Sequence, residues 1–325
     1  MGGHPTALLS SSKLTAGDSM RYLTTAIFLT LQIQSFQLYA DQGWGGDIDL
    51  NFGYNDNVYL QHNDIDIRDE ENSGNKDVQR QINLSAYTKF YDGKKGDAKL
   101  LVNYFYENLA ENELTTSIFS ISLPLSSYSK ANRLRIIPTY SSYNIDGKDA
   151  LDSFGSKIDL TNKINRYKFG ISYQHTVKSA LSTDYRNSEG NNTKLSLNHT
   201  GNWLNKSYSL SFGRYENGYQ QTEDGNSTHS GNFISGSYFH YHKGFSIQLY
   251  AITKTKEYTE DTATDFIRSD TNTLVSATPT YRLTKNTSVY THLQWIKNRS
   301  NLNDDTDNMN YVQKVYSVGF RYFFG

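Results

Sequence analysis

The sequence predicts an all-β chain that closes as a transmembrane antiparallel up-and-down β-barrel of about fourteen strands. Three observations lead there. In Asp47-Ile48-Asp49-Leu50-Asn51-Phe52-Gly53-Tyr54 every even position is apolar and every odd one polar or small, a period of two that gives a strand one apolar and one polar face. The connections between such segments alternate short and long, as in a barrel with tight turns at one membrane face and longer loops at the other. The composition fits neither an ordinary soluble core nor a disordered chain: of 325 residues 36% are hydrophobic and 14% aromatic, with 26 Tyr and a net charge of −1. Mean hydropathy is −0.67, and no stretch after residue 40 approaches the ~20 apolar residues of a helical span. A β-barrel needs only every second residue to be apolar, so a polar chain can still cross a membrane. A soluble β-sandwich would also alternate, but nothing would require its strands to reach about 10–14 residues or its connections to differ by end.

The strands follow in order. The first is expected at 46–54 and the second at 78–91, where Gln81-Ile82-Asn83-Leu84-Ser85-Ala86 repeats the dyad. Gly93-Lys94-Lys95-Gly96 turns into the third, 97–107. The fourth (113–126) and fifth (132–143) carry Pro124 and Pro138, each removing a ladder donor. The sixth is placed at 152–161 and the seventh at 166–177, around Lys168-Phe169-Gly170-Ile171-Ser172-Tyr173. The eighth (190–200), the ninth (206–217, with Ser207-Tyr208-Ser209-Leu210-Ser211-Phe212) and the tenth (230–241) precede a His242-Lys243-Gly244 turn. The eleventh (245–257), the twelfth (271–283, containing Pro279), the thirteenth (287–298) and the fourteenth (311–324) complete the set. Short turns are expected at 93–96, 127–131, 162–165, 201–205, 242–244 and 284–286. Longer connections are expected at 55–77, 108–112, 144–151, 178–189, 218–229, 258–270 and 299–310.

Residues 1–40 are expected to be an N-terminal extension and signal peptide, and 41–325 the barrel. Met20 to Ala40 supplies a positive Arg21, an apolar Leu23–Leu31 core and a cleavage point near Ala40. The chain has no Cys, consistent with export and incompatible with a lipidated N-terminal Cys.

In lipid the apolar parity must face outward. That assigns Ile48, Leu50, Phe52, Leu100, Phe119, Ile121, Leu210, Phe212, Ile247, Leu249 and Val318, among others, to the bilayer. Tyr54, Tyr91, Tyr140, Tyr167, Tyr208, Tyr281 and Tyr322 are read as interfacial belts. The inward parity is polar. Its expected pore-lining cations are Lys89, Lys99, Arg133, Arg135, Lys157, Arg166, Lys168, Arg282 and Arg321; Asp47, Asp49, Glu107 and Asp159 are the inward acids. Rings of Arg and Lys in a pore favour anions. The long connections are acidic (Asp64, Glu70, Glu223, Asp224, Glu260, Asp304, Asp305 and others) and are read as solvated loops.

The closing segment, Val318-Gly319-Phe320-Arg321-Tyr322-Phe323-Phe324-Gly325, resembles the last strand of Gram-negative outer-membrane β-barrel proteins, porins among them, with Gly325 added after the usual terminal Phe. The resemblance implies the cell outer membrane with both termini periplasmic, embedding among outer-membrane lipid and lipopolysaccharide, and recognition by the barrel-assembly machinery through Phe320, Tyr322 and Phe324. The opening Phe52-Gly53-Tyr54-Asn55-Asp56-Asn57-Val58 resembles the first strand of barrels in polysaccharide-export and surface-lipoprotein-assembly proteins, which implies a periplasmic export partner.

The eight His form no catalytic or metal-ligand motif; His240 and His242 share a strand face without a third ligand in sequence. There is no HExxH, G-x-S-x-G or phosphate-binding Gly loop. No cofactor and no enzyme activity are expected, and the balanced charge gives no surface for nucleic acid. The expected function is an outer-membrane channel for small hydrophilic solutes with an anion bias. The alternatives are the barrel of a polysaccharide-export or surface-lipoprotein assembly system, or a structural or adhesive surface protein.

Overall fold

In the computed structural model the described residues are 43–56, 76–110, 114–181, 187–200, 206–219, 228–258, 268–301 and 310–325. The expected leader, 1–40, and the acidic positions named in the long connections lie outside them. The strands are β1 (Trp44–Asn55), β2 (Asp77–Gly93), β3 (Gly96–Leu109), β4 (Leu114–Ser122), β5 (Leu125–Tyr128), β6 (Asn132–Ile145), β7 (Lys148–Ile164) and β8 (Tyr167–Ala180). They continue as β9 (Ser188–Thr200), β10 (Lys206–Tyr219), β11 (His229–His242), β12 (Phe245–Tyr258), β13 (Ser269–Arg282), β14 (Thr287–Ser300) and β15 (Tyr311–Phe324). No helix occurs among the described residues.

Every neighbouring pair is antiparallel, and β1 closes the sheet by pairing with both β2 and β15. β4 and β5 both lie between β3 and β6, so they are two halves of one stave and the barrel has fourteen. The break falls at Leu123-Pro124, where proline has no N–H to give the ladder. The ladder is bridged there by Leu123 N–H to the Pro138 carbonyl at 3.0 Å and Lys99 N–H to the Pro124 carbonyl at 3.1 Å. Pro279 leaves a smaller gap: the β13–β14 register passes from Ala277↔Leu293 to Thr280↔Tyr290.

Both ends of the barrel segment meet at one rim, with Gly46 opposite Phe324. The short β2–β3, β5–β6, β7–β8, β11–β12 and β13–β14 turns lie at that rim, here called the turn end. The opposite rim, the loop end, differs from expectation at one point. Residues 144–151 are not a long connection: β6 runs into β7 through the two-residue turn Asp146-Gly147, with φ of 52° and 74°. Positive φ at both positions marks the type I′ geometry that matches strand twist. Asp146 also ties the turn to its neighbour, its Oδ1 accepting from Thr115 N–H at 2.8 Å.

The two faces sort as the parity requires. Phe52, Phe212 and Val318 are 63%, 57% and 60% exposed on the outer surface, which is the lipid face. Asp49, Asn103, Ser211, Gln294 and Ser317 are buried on the inner one. Inner-face hydroxyls and amides bond across strands, as in Ser85–Asn103 (2.8 Å), Ser120–Ser141 (2.9 Å) and Gln81–Glu107 (2.7 Å). The inner face is not polar throughout. Ile252, Leu274, Ile296 and Tyr311 form a buried apolar cluster on β12–β15, with Phe233 and Tyr250 packed against it, all on the parity expected to be polar. Apolar neighbours such as Leu249-Tyr250-Ala251-Ile252 and Trp295-Ile296 give those strands an apolar residue on each face at the same level.

Candidate functional site: a basic inner wall

Several inner cations gather on the wall formed by β2 to β9, while Lys254 and the buried Lys256 stand on the inner face of β12, apart from that group. Cross-strand register runs Asp97↔Ser126↔Arg135↔Asp159↔Ser172↔Lys194 from β3 through β5, β6, β7 and β8 to β9. Lys99 stands two residues along β3 from Asp97, Arg133 two along β6 from Arg135, and Lys157 two along β7 from Asp159. A spacing of two keeps them all on the inner face. Lys89 joins from β2, opposite Lys99.

The acids of this wall compensate some cations and leave others. Lys157 Nζ lies 3.1 Å from Asp159 Oδ1, and Lys89 Nζ 3.0 Å from Asp92 Oδ2. Asp97 accepts the Tyr128 hydroxyl hydrogen bond. Arg133 donates from Nη2 to Ser126 Oγ at 3.3 Å and stacks 5.4 Å from the Tyr128 ring centroid. Lys99 Nζ sits 5.9 Å from the Tyr87 ring centroid. The buried Nε atoms of Arg133 and Arg135 have no hydrogen-bond partner among the described residues. Two adjacent guanidinium groups with unused buried donors form a surface that an anion in the lumen can satisfy.

Of the nine cations expected to line the pore, the structure brings together Lys89, Lys99, Arg133, Arg135 and Lys157. The other four stand elsewhere. Arg166 is not on a strand: it belongs to the exposed turn between β7 and β8. Lys168 is exposed at the turn-end rim, opposite Lys163. Arg282 lies on β13 and donates from Nη2 to the Lys285 carbonyl at 2.8 Å, over the turn.

Arg321 is neutralised. At the β1–β15 seam it is the register partner of Asp49, donates to Asp49 Oδ2 from Nε at 2.8 Å and again from Nη2, and has Asp47 Oδ2 at 3.9 Å. Tyr290 completes this lock, its hydroxyl donating to Asp49 Oδ1 at 2.7 Å and its ring centroid 5.3 Å from the guanidinium. Gly319, opposite Tyr290, makes room for that ring, since a Cβ there would strike it.

A second ion pair, absent from the sequence reading, sits at the loop end of the other wall. Arg268 forks onto Asp270 with bonds of 3.1 and 2.7 Å and stacks 4.5 Å from the Tyr258 centroid. The i,i+2 spacing across the start of a strand was its only sequence signal. Of the terminal aromatics, Phe320 and Tyr322 face outward, and the Phe324 ring lies 6.3 Å from Trp44 across the seam. His240 stacks on Tyr238 at 6.4 Å on the outer face.

No protein-family model and no curated protein matches the sequence. Solved structures match by shape. A loop L8 deletion mutant of OmpT, an outer membrane protein of Vibrio cholerae, has a TM-score of 0.50 at 6% identity, over 86% of this chain and 98% of that one. OccAB3 of Acinetobacter baumannii gives 0.49 at 9% identity, over 88% and 100% of the two chains. An anion-selective porin from Comamonas acidovorans gives 0.44 at 11%, over 86% and 98%. At such identities the likeness is one of fold, and the fold is that of an outer-membrane β-barrel.

Proposed function

We propose that this chain, an outer-membrane-type β-barrel by fold, is a channel that passes small hydrophilic solutes and prefers anions, with a transport and not a catalytic role. The observation that carries the reading is the basic inner wall, above all the neighbouring Arg133 and Arg135, whose buried Nε donors have no partner among the described residues. Fixed charges in a narrow lumen with low-dielectric walls sum their fields and raise the local anion concentration. Fourteen staves lie between the ~8 of a side-chain-filled barrel and the 16–18 of wide porins, a size in which wall chemistry acts at short range.

The test is the reversal potential of the purified protein in a planar bilayer under a KCl gradient. The expected result is anion preference near 0.1 M salt, where the Debye length is ~10 Å, fading toward 1 M, where it is ~3 Å. Changing Arg133 and Arg135 together to Gln should reduce the preference without loss of the barrel. Cation preference in the unmodified protein, or absence of conductance, would overturn the reading. The membrane placement proposed with it has the turn end and both barrel termini in the periplasm, where assembly machinery would read Phe320, Tyr322 and Phe324.

A further inference from the structure

The outer face carries a second feature that the channel does not use. A groove of about 730 Å³ crosses the lipid-facing surface of β10–β15. The small Gly236, Ala251 and Ala277 leave it open between the larger Tyr238, Trp295 and Tyr316. Its residues follow one cross-strand rung, Gly236↔Ala251↔Val275↔Trp295↔Lys314, so the groove runs across the strands and ends at a lysine that also lines it.

That end is basic. Lys297 stands two residues beyond Trp295, opposite Val312, hence diagonal to Lys314 at about 7–8 Å. Arg299 follows two residues further, opposite Thr271. All three are on the outward parity, within four residues of the loop end of their strands, and none is ion-paired among the described residues. Among the described residues the outward acid Asp56 accepts a hydrogen bond from the backbone N–H of Lys314. On β13 the outward neighbours Ser269, Thr271 and Thr273 are uncharged, and Glu257 stands two strands away at the end of β12.

Cations clustered on neighbouring strands repel one another, and a counter-charge among them relieves that repulsion. A phosphate supplies that charge, and Lys and Arg are its usual ligands. The groove beneath offers an apolar bed for chains attached to it. We infer that the groove and its basic end bind a phosphorylated acyl lipid, the acyl chains along Gly236, Ala251 and Ala277 and the phosphate among Lys314, Lys297 and Arg299. The inference rests on the outer-membrane placement with the loop end outside, which makes the occupant the phosphorylated lipid anchor of lipopolysaccharide.

Native mass spectrometry of the detergent-purified full chain tests it, with lipid A, phosphatidylglycerol and phosphatidylcholine added separately. Lipid A should be retained in preference to both phospholipids. Changing Lys297 and Lys314 together to Gln should lower its occupancy at least tenfold. Ala277→Trp, which fills the groove and leaves the cations in place, should lower it as well. Lys243→Gln, in a turn at the opposite end, should leave it unchanged. Equal retention of phosphatidylcholine, or no loss in either groove variant, would overturn the site, as would an equal loss in Lys243→Gln. Equal retention of phosphatidylglycerol would overturn the lipopolysaccharide assignment. The Lys297/Lys314 variant should keep the conductance and anion preference of the unmodified protein, so failure of this site and failure of the channel reading are separately visible.

Discussion

At the scale of single residues, charge in the lumen is governed by which donors the facing acids accept. Arg321 and Arg135 are inward arginines that each face an aspartate. Asp49 Oδ2 takes two donors from Arg321 across the barrel seam. Asp159, opposite Arg135, is instead held by Lys157, and the buried Arg135 Nε has no partner among the described residues. Asp49→Asn should therefore act twice. It strips the counter-charge from a guanidinium that is mostly buried, a loss of about 3 kcal/mol in denaturant titration of the refolded barrel. It also adds net positive charge to the lumen, so the reversal potential should move further toward anions. Unchanged selectivity with lowered stability would place the seam outside the field of the conducting path. Gly319→Val belongs to the same lock: the new side chain would collide with the Tyr290 ring, and overpacking of this kind costs about 1–3 kcal/mol.

Among the elements, β10 and the β6–β7 turn give the sharpest tests. Leu210 is 52% exposed on the outer face while Ser209 bonds Ser237 on the inner one at 2.7 Å. Leu210→Arg should cost roughly 2–4 kcal/mol in lipid, whereas Ser209→Arg should lose about 1 kcal/mol from the broken hydrogen bond. Equal costs would mean that both faces are packed dry. At the turn, Gly147 holds a φ of 74°, so Gly147→Val should cost about 1–2 kcal/mol from left-handed strain, measurable in the same titration. The expectation of a long loop at 144–151 failed because Asp-Gly with φ > 0 at both positions needs only two residues to reverse the chain. The flanking polar residues continue the strands instead. Pro124 shows the converse: its missing N–H breaks a stave into β4 and β5, while the neighbours on β3 and β6 hold the halves in line.

At the scale of the whole molecule, the proposed orientation rests on the two rims being unequal, one with short turns and one with longer connections. A protease site or biotin-acceptor tag inserted within 220–227 or 259–267, or at Asp146-Gly147, should be reached from outside intact cells. The same tag at Lys94-Lys95 or within 284–286 should be reached only after the outer membrane is opened. The reverse pattern would invert the barrel and move the proposed lipid site to the inner leaflet.

The sequence by itself determined the fold class, the number of staves, the closing strand and the parity of most wall residues. Each of these follows from a local repeat: a period of two assigns a side chain to a face whatever its neighbours are. Most of the basic wall was legible for the same reason, since Lys99, Arg133, Arg135 and Lys157 needed only their parity. Register and closure were decided in three dimensions. Whether an inward arginine is free or neutralised depends on a partner 272 residues away, and no local pattern reports that a chain's first and last strands meet. The apolar inner cluster of Ile252, Leu274, Ile296 and Tyr311, and the outer groove ending at Lys314, arise in the same way. Each is a set of residues on four or more strands that only the rungs of the closed sheet bring side by side.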